Sequence, residues 1–267
     1  HQPGDLLLRD LGYYSASIIR EIFKSEASLI TRVPSQTKFW LGSKKEGWTQ
    51  VKPEEDLKGC DGGETVDYGF IKVGGDSRNS FVARVIAQKL TKEQRKRRDR
   101  ALQLKRQKGH QTLSAQERNS IQILVTNITH ENLKAQDLYP LYSLRWQIEI
   151  LFKTWKSLFE IDEVQKMKQE RFECHLYGTL IEILLSSMLA FQCRLYLHKI
   201  HQAEASEYKC IDTARESLPH LITAAETGVE NVRAMIRLVY ENARIHGGKE
   251  HRKNHLSPFD ILGIAYK

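Results

Sequence analysis

The chain has 267 residues, of which 40% are apolar and 28% charged, and it carries a net charge of +8 at neutral pH. Such a length and apolar share suffice for one large or two modest hydrophobic cores, which excludes a disordered or fibrous chain. The four cysteines, Cys60, Cys174, Cys193 and Cys210, show no CxxC spacing, which excludes a disulfide framework and points to free thiols in a reducing compartment.

In chain order, LLLR at 6–9 reads as a short buried strand ending at Asp10, after which Gly12 offers a turn. An Asp followed by Leu-Gly suits an ordinary turn starter as well as a functional acid. SASIIREIFKSE (15–26) has helical apolar spacing, and ASLITRV (27–33) is a second β-prone run. Strand, helix and strand in that order predict an α/β layer. From Pro34 to about Gln116 the texture changes, with Trp40, Trp48, GCDGG (59–63) and alternating runs such as YGFIKV and SFVARVIAQ, so a β-rich insertion is predicted over 34–118. Trp40 and Trp48 suit ordinary packing.

The insertion ends in a basic stretch. Between Lys92 and Lys108 nine Lys or Arg residues stand against Glu93 and Asp99, which concentrates +7 of the net charge in one helical segment. Arg95, Arg97, Arg98 and Arg100 are its candidate contacts to a polyanion such as DNA, against the alternative of a solvated face. IQILVTNI (121–128) reads as a buried strand on which the core resumes, followed after a loop by a helix over 141–159.

That helix, LYSLRWQIEILFKTWK and beyond, raises the functional question. At 100° per residue Tyr142, Arg145, Glu149, Lys153 and Lys156 fall within roughly 80° of one another. Leu144, Ile148, Leu151, Phe152, Trp155, Leu158 and Phe159 occupy the adjoining arc, leaving Ser143, Gln147 and Thr154 to solvent. A Glu149–Lys153 pair on a solvated face accounts for part of the stripe. One carboxylate among three cations and a phenol also suits a site where the acid holds a metal and the cations hold phosphates.

Beyond Glu160 the pattern is helical, with a polar tail over 245–260. LIEILLSSMLAFQCRLYL (180–197) is interrupted by Glu182 and Arg194 and reads as a core helix rather than a membrane span. Cys193, His198, His201 and Cys210 fit no common zinc spacing.

Tyr142, Arg145, Glu149 and Lys156, with two, three and six residues between them and RWQIEILFK around them, resemble the signature of IS4-type DDE transposases. Lys153 matches a further basic position of some members, ILVTN resembles the strand before the signature helix, and LLLRDLGYYS resembles the strand that delivers the second acid. The resemblance implies a partial RNase H-like α/β core with a β-rich insertion and a helical C-terminal part. It divides the chain into core at 1–33, insertion at 34–118, core at 119–197 and a helical region at 198–267. It further implies that Asp10 and Glu149 are catalytic ligands of two Mg²⁺ or Mn²⁺ ions, which activate the attacking oxygen and stabilise the leaving one. Tyr142, Arg145, Lys153 and Lys156 would then grip phosphates of DNA, both element ends and target, in a homodimeric synaptic complex. The insertion would touch the element end, with Trp40 or Trp48 stacking on an unpaired base as the alternative to ordinary packing. A bacterial, cytoplasmic, nucleoid-associated protein without a membrane partner is expected.

The pattern departs from the family at its start. Only nine residues precede Asp10, the lone acid among them is Asp5 in HQPGD, and residue 1 is His rather than Met. The first acid is therefore expected outside this chain, in a longer protein, and the chain by itself is expected to be inactive. The alternatives are a DNA-binding remnant without chemistry and a nuclease that hydrolyses without joining strands.

Overall fold

A computed structural model describes residues 1–43, 47–75, 79–107, 120–249 and 256–264. Lys108 of the basic stretch, the expected insertion boundary at 118 and part of the polar tail lie outside the described residues. The chain forms two units, His1–Arg145 and Trp146–Lys267.

The first unit contains β1 (Leu6–Arg9), a 3₁₀ turn (Leu11–Tyr13), α1 (Ala16–Lys24), β2 (Ser28–Arg32), β3 (Phe39–Ser43), β4 (Gly47–Val51) and α2 (Pro53–Asp56). It continues through β5 (Thr65–Val73), β6 (Phe81–Lys89), α3 (Lys92–Gln107), β7 (Ile121–Thr126) and α4 (Ala135–Ser143). Among the described residues the strands form one sheet in the order β1-β2-β7-β6-β5-β3-β4. Only β1 and β2 are parallel; α1, ending at a left-handed Glu26 (φ 58°), makes the crossover between them.

The strand, helix, strand reading of 6–33 thus matches the observed elements. The stretch 34–118 is an insertion in chain order alone, because in space β6 pairs with β7 from Arg84 opposite Thr126 to Lys89 opposite Ile121. Its strands continue the core sheet.

Both faces of the sheet are covered, as its near-continuous apolar strands require. On one face Ile19 and Ile22 of α1 meet Leu29, Phe39, Val73 and Val85. Fully burying such side chains contributes roughly 1.5–3 kcal/mol each. On the other face Leu138 and Tyr142 of α4 meet Ile30, Ile86 and Leu124. Neighbouring residues of β2 therefore serve opposite faces, with Leu29 toward α1 and Ile30 toward α4.

One arginine holds the second face together. Arg84 on β6 is 1% exposed. Its Nε and Nη2 donate to Asp67 at 3.0 and 2.6 Å, and its Nη1 donates to the carbonyls of Ile128, Thr129 and Leu133. A bulge between Asp67 and Phe70, with Gly69 at φ 66°, turns the Asp67 carboxylate toward it. This network fixes the connection from β7 into α4. An open recess of about 550 Å³ lies over Arg84, walled by Phe70, Thr129, His130 and Glu131.

The second unit contains α5 (Trp146–Phe159), α6 (Gln169–His201), α7 (Glu207–Thr227), α8 (Val229–His246) and α9 (Pro258–Leu262). Ile183, Ala190, Cys193 and Leu197 of α6 pack with Ile211 and Ala214 of α7, Val239 and Ala243 of α8, and Leu158 and Phe159 of α5. Arg215 of α7 donates to the Leu158 carbonyl at 2.8 Å, which caps α5. α6 is long and apolar enough to cross a membrane by length and composition, yet its buried stripe belongs to this helical core. Cys193 and Cys210 lie in that core, whereas His201 meets the Tyr240 hydroxyl and His198 meets the Phe259 ring. Gly247 is required where α8 turns, since a Cβ there would lie 2.3 Å from the Ala243 carbonyl oxygen.

Candidate functional site

The predicted helix over 141–159 is two helices. α4 starts at Ala135, six residues earlier than predicted, and closes on short i,i−3 bonds, from Leu144 N–H to the Leu141 carbonyl and from Arg145 N–H to the Tyr142 carbonyl. α5 begins at Trp146. Tyr142 and Arg145 therefore belong to the end of α4, while Glu149, Lys153 and Lys156 belong to α5, so no single helical stripe runs from 142 to 156. The sequence pattern concealed α4 because Pro140 sits inside it, where it removes only the bond to the Gln136 carbonyl.

The α4 end stands over the C-terminal ends of β1 and β2. Buried Tyr142 donates its hydroxyl to the Arg9 carbonyl at 3.2 Å, and Thr31 donates its own to the same carbonyl at 3.2 Å. Burial pushes the Tyr142 phenol above its ordinary pKa. In this structure Tyr142 buttresses the strand end. The Arg145 guanidinium lies 5.9 Å from the Tyr142 ring centroid and 3.7 Å from Asp10 Oδ2.

Asp10 is both turn starter and acid of the corner. Its Oδ1 accepts from Leu11 N–H at 2.8 Å and opens the 3₁₀ turn, while Oδ2 faces Arg145. Its side chain is 42% exposed. Asp5, the one acid upstream, lies in an exposed turn where it accepts from Gln2 N–H.

On α5, Glu149 is half-buried and Lys153 exposed. Lys156 pairs with Asp162 at 2.7 Å, and that hydrogen bond holds the Asp162 carboxyl below its usual range. The core face of α5 differs from the helical-wheel expectation. Thr154 is buried, bonded to the Ile150 carbonyl, whereas Ile148 and Phe152 are nearly half exposed.

The basic stretch forms α3 as predicted. Arg95, Arg97 and Arg100 are exposed, with Arg95 3.9 Å from Asp99. Arg98 turns inward instead, and its Nη1 donates to the Ile121 carbonyl at 2.7 Å, docking α3 on the start of β7. Of the tryptophans, Trp40 donates to the Gly74 carbonyl, and Trp48 is partly exposed with the Lys72 ammonium 5.1 Å from its ring centroid.

Sequence reasoning missed Arg84 and Arg32. A charged residue inside the apolar run SFVARVIAQ signals a buried ion pair. Arg32, closing SLITR as Asp10 closes LLLRD, signals a second charged strand end beside the first.

The family described as "Transposase DDE domain" matches residues 1–185. Over 280 aligned residues, covering 100% of this chain and 58% of the relative, the chain is 34% identical to the transposase for insertion sequence element IS231F of Bacillus thuringiensis subsp. israelensis. The same identity and coverage relate it to the transposase for IS231C of Bacillus thuringiensis subsp. berliner. It is 31% identical to the transposase for IS1151 of Clostridium perfringens, over 97% of this chain and 58% of that one. The chain thus spans little more than half the length of these relatives.

Proposed function

The chain belongs to the transposase DDE-domain family, and on that premise we propose that it is part of an enzyme that cuts and rejoins DNA at the ends of an insertion sequence. The observation that carries the reading is the corner at the C-terminal ends of the parallel pair β1 and β2, where Asp10 and Arg145 stand 3.7 Å apart. An acid on a strand end can ligate a metal ion and a cation beside it can hold a phosphate, two parts of the machinery that strand cleavage uses. Asp10 and Glu149 are the proposed catalytic carboxylates; Arg145, Lys153, Lys156 and α3 are the proposed phosphate contacts, with Tyr142 supporting Arg145.

The family works with divalent metal ions, and hard carboxylate donors suit Mg²⁺ or Mn²⁺. Among the described residues no group of three or more His, Cys, Asp or Glu side chains could hold a metal ion. These residues alone do not make a two-ion centre. The sheet supports an RNase H-like reading because β1 carries no strand on its outer edge among the described residues. In a protein of the relatives' length, the strand bearing the first acid is proposed to pair there. DNA, a second copy of the protein in a synaptic complex, and the bacterial nucleoid are the proposed partners and place. The second reading, a DNA-binding protein without chemistry, rests on the lone carboxylate of the Asp10 corner.

Mutation in a protein of the relatives' length separates the two readings. Glu149→Gln is expected to keep affinity for element ends within about threefold while abolishing Mg²⁺-dependent nicking. Nicking that survives Glu149→Gln refutes the catalytic assignment, and absence of nicking in the unmutated protein favours the second reading.

A further inference from the structure

The exposed side of α6 is more apolar than its buried side. Thr179, Ile183, Ser186, Ala190, Cys193 and Leu197 form the stripe packed into the helical core. On the opposite side Tyr177, Ile181, Leu184, Met188 and Phe191 fall within about 80° of one another at 100° per residue, and each is 57–61% exposed. Leu180 and Leu185 flank them and are exposed too. A helix that is apolar on all sides needs cover on all sides, and the helical core supplies it on one.

Spacing and end charges decide what fits there. The five side chains recur at intervals of four, three, four and three residues, the repeat with which one helix keeps a seam against another. Their exposed surface, with that of Leu180 and Leu185, amounts to roughly 600–800 Å² per copy, close to the roughly 800 Å² that each partner of a stable pair buries. The arc is acidic at its start, where Glu170 and Glu173 are exposed, and basic at its end, where Lys199 is exposed. Glu170 lies 14 residues before Leu184 and Lys199 lies 15 after it. Parallel copies would set like charges side by side, whereas antiparallel copies crossing at Leu184 set Glu170 beside Lys199. The same crossing brings Tyr177 beside Phe191 and Ile181 beside Met188, so the surface is complementary to itself, as a two-fold interface requires.

We propose that the exposed face of α6 binds a second copy of the chain, with the two α6 helices antiparallel about an axis at Leu184. The pairing assigns a surface to the second copy of the proposed synaptic complex, yet it needs neither DNA nor metal, so it can fail while the transposase reading stands. A bilayer suits this face less, although α6 is long and apolar enough to cross one. α7 and α8, packed on its other side, carry charges along their length and would have to enter with it.

The test is sedimentation of the 267-residue chain, without DNA, over a range of concentrations. A monomer–dimer equilibrium with a dissociation constant in roughly the micromolar range is expected. Leu184→Glu puts two carboxylates at the axis and is expected to weaken the dimer by at least about a hundredfold, with the circular dichroism spectrum unchanged because the side chain is exposed. Lys199→Glu is expected to weaken the dimer about tenfold, and adding Glu170→Lys to it to restore the pairing. Charge exchanges without effect overturn the antiparallel arrangement. A chain still monomeric at about 100 µM overturns the proposal, as does a dimer indifferent to Leu184→Glu. Among monomeric outcomes, a melting temperature lowered by Leu184→Glu would mean that another part of the same chain covers the face. Binding to phosphatidylcholine–phosphatidylglycerol vesicles that Leu184→Glu abolishes would mean that a membrane does.

Discussion

Two arginines on the same side of the sheet sit in opposite surroundings. In its middle, Arg84 is buried and each of its three nitrogens donates, to Asp67 or to the carbonyls leading into α4. At its edge, Arg145 stands 3.7 Å from Asp10, whose side chain is 42% exposed. A buried charge surrounded by acceptors holds a fold together, since leaving it unpaired would be costly. An ion pair that solvent still reaches contributes less to the fold than one enclosed by acceptors. The distinction lies in what surrounds the guanidinium.

The largest effect expected from this contrast is on stability. Arg84→Met strands Asp67 and three carbonyls without their donor and is expected to destabilise by about 3–5 kcal/mol. Arg145→Gln is expected to cost about 1 kcal/mol. Denaturant unfolding of both variants breaks the comparison if their losses are alike.

The next effect is on binding. Replacing Arg95, Arg97 and Arg100 by Gln is expected to flatten the salt slope of duplex binding by roughly 2 to 3 units, with the melting temperature unchanged because these side chains are exposed. Adding Arg98→Gln should cost stability too, since it removes the bond to Ile121. A melting temperature insensitive to Arg98→Gln would place that residue with its solvated neighbours.

The smallest effect concerns pH. Burial raises the Asp67 carboxyl, but hydrogen bonds from Arg84 and Gly69 outweigh it and leave the group below its ordinary value. A depressed folded-state pKa contributes stability that is fully present above the unfolded value, about 3.9, and is lost as pH falls through the folded value. Urea midpoints of the wild type should therefore fall toward those of Asp67→Asn on acidification. Parallel acid limbs would mean that the Arg84–Asp67 pair is not coupled to folding.

Much of the first unit was legible because its signals are local. LLLR, SLITR and IQILVT announce strands by composition, and the basic stretch announces an exposed helix by having almost no apolar residues. The signature spacing pointed to the family, yet a helical wheel drawn through it could not reveal the break at Leu144 and Arg145. The break accompanies the hydrogen bond from Tyr142 to the Arg9 carbonyl, a contact between distant residues. The partners of Arg84 were unreadable for the same reason: a charge inside SFVARVIAQ signals a buried pair, but strand register decides that Asp67 completes it. Thr154 was assigned to solvent because it is polar, but the second unit buries it with its hydroxyl returned to the Ile150 carbonyl.

The hydrogen bond from Tyr142 to the Arg9 carbonyl spans 133 residues of chain. On a ribosome adding roughly 5–20 residues per second, β1 would emerge on the order of ten seconds before the residue that completes its corner. During that interval the 3₁₀ turn can form, because Asp10 caps it through its immediate neighbour. The strand ends of β1 and β2 cannot yet be closed over. The edge of β2 is then open to wrong pairings until β7 arrives, and the face above it until α4 follows. The corner that handles DNA in the proposed function is thus among the last parts of its unit to assemble.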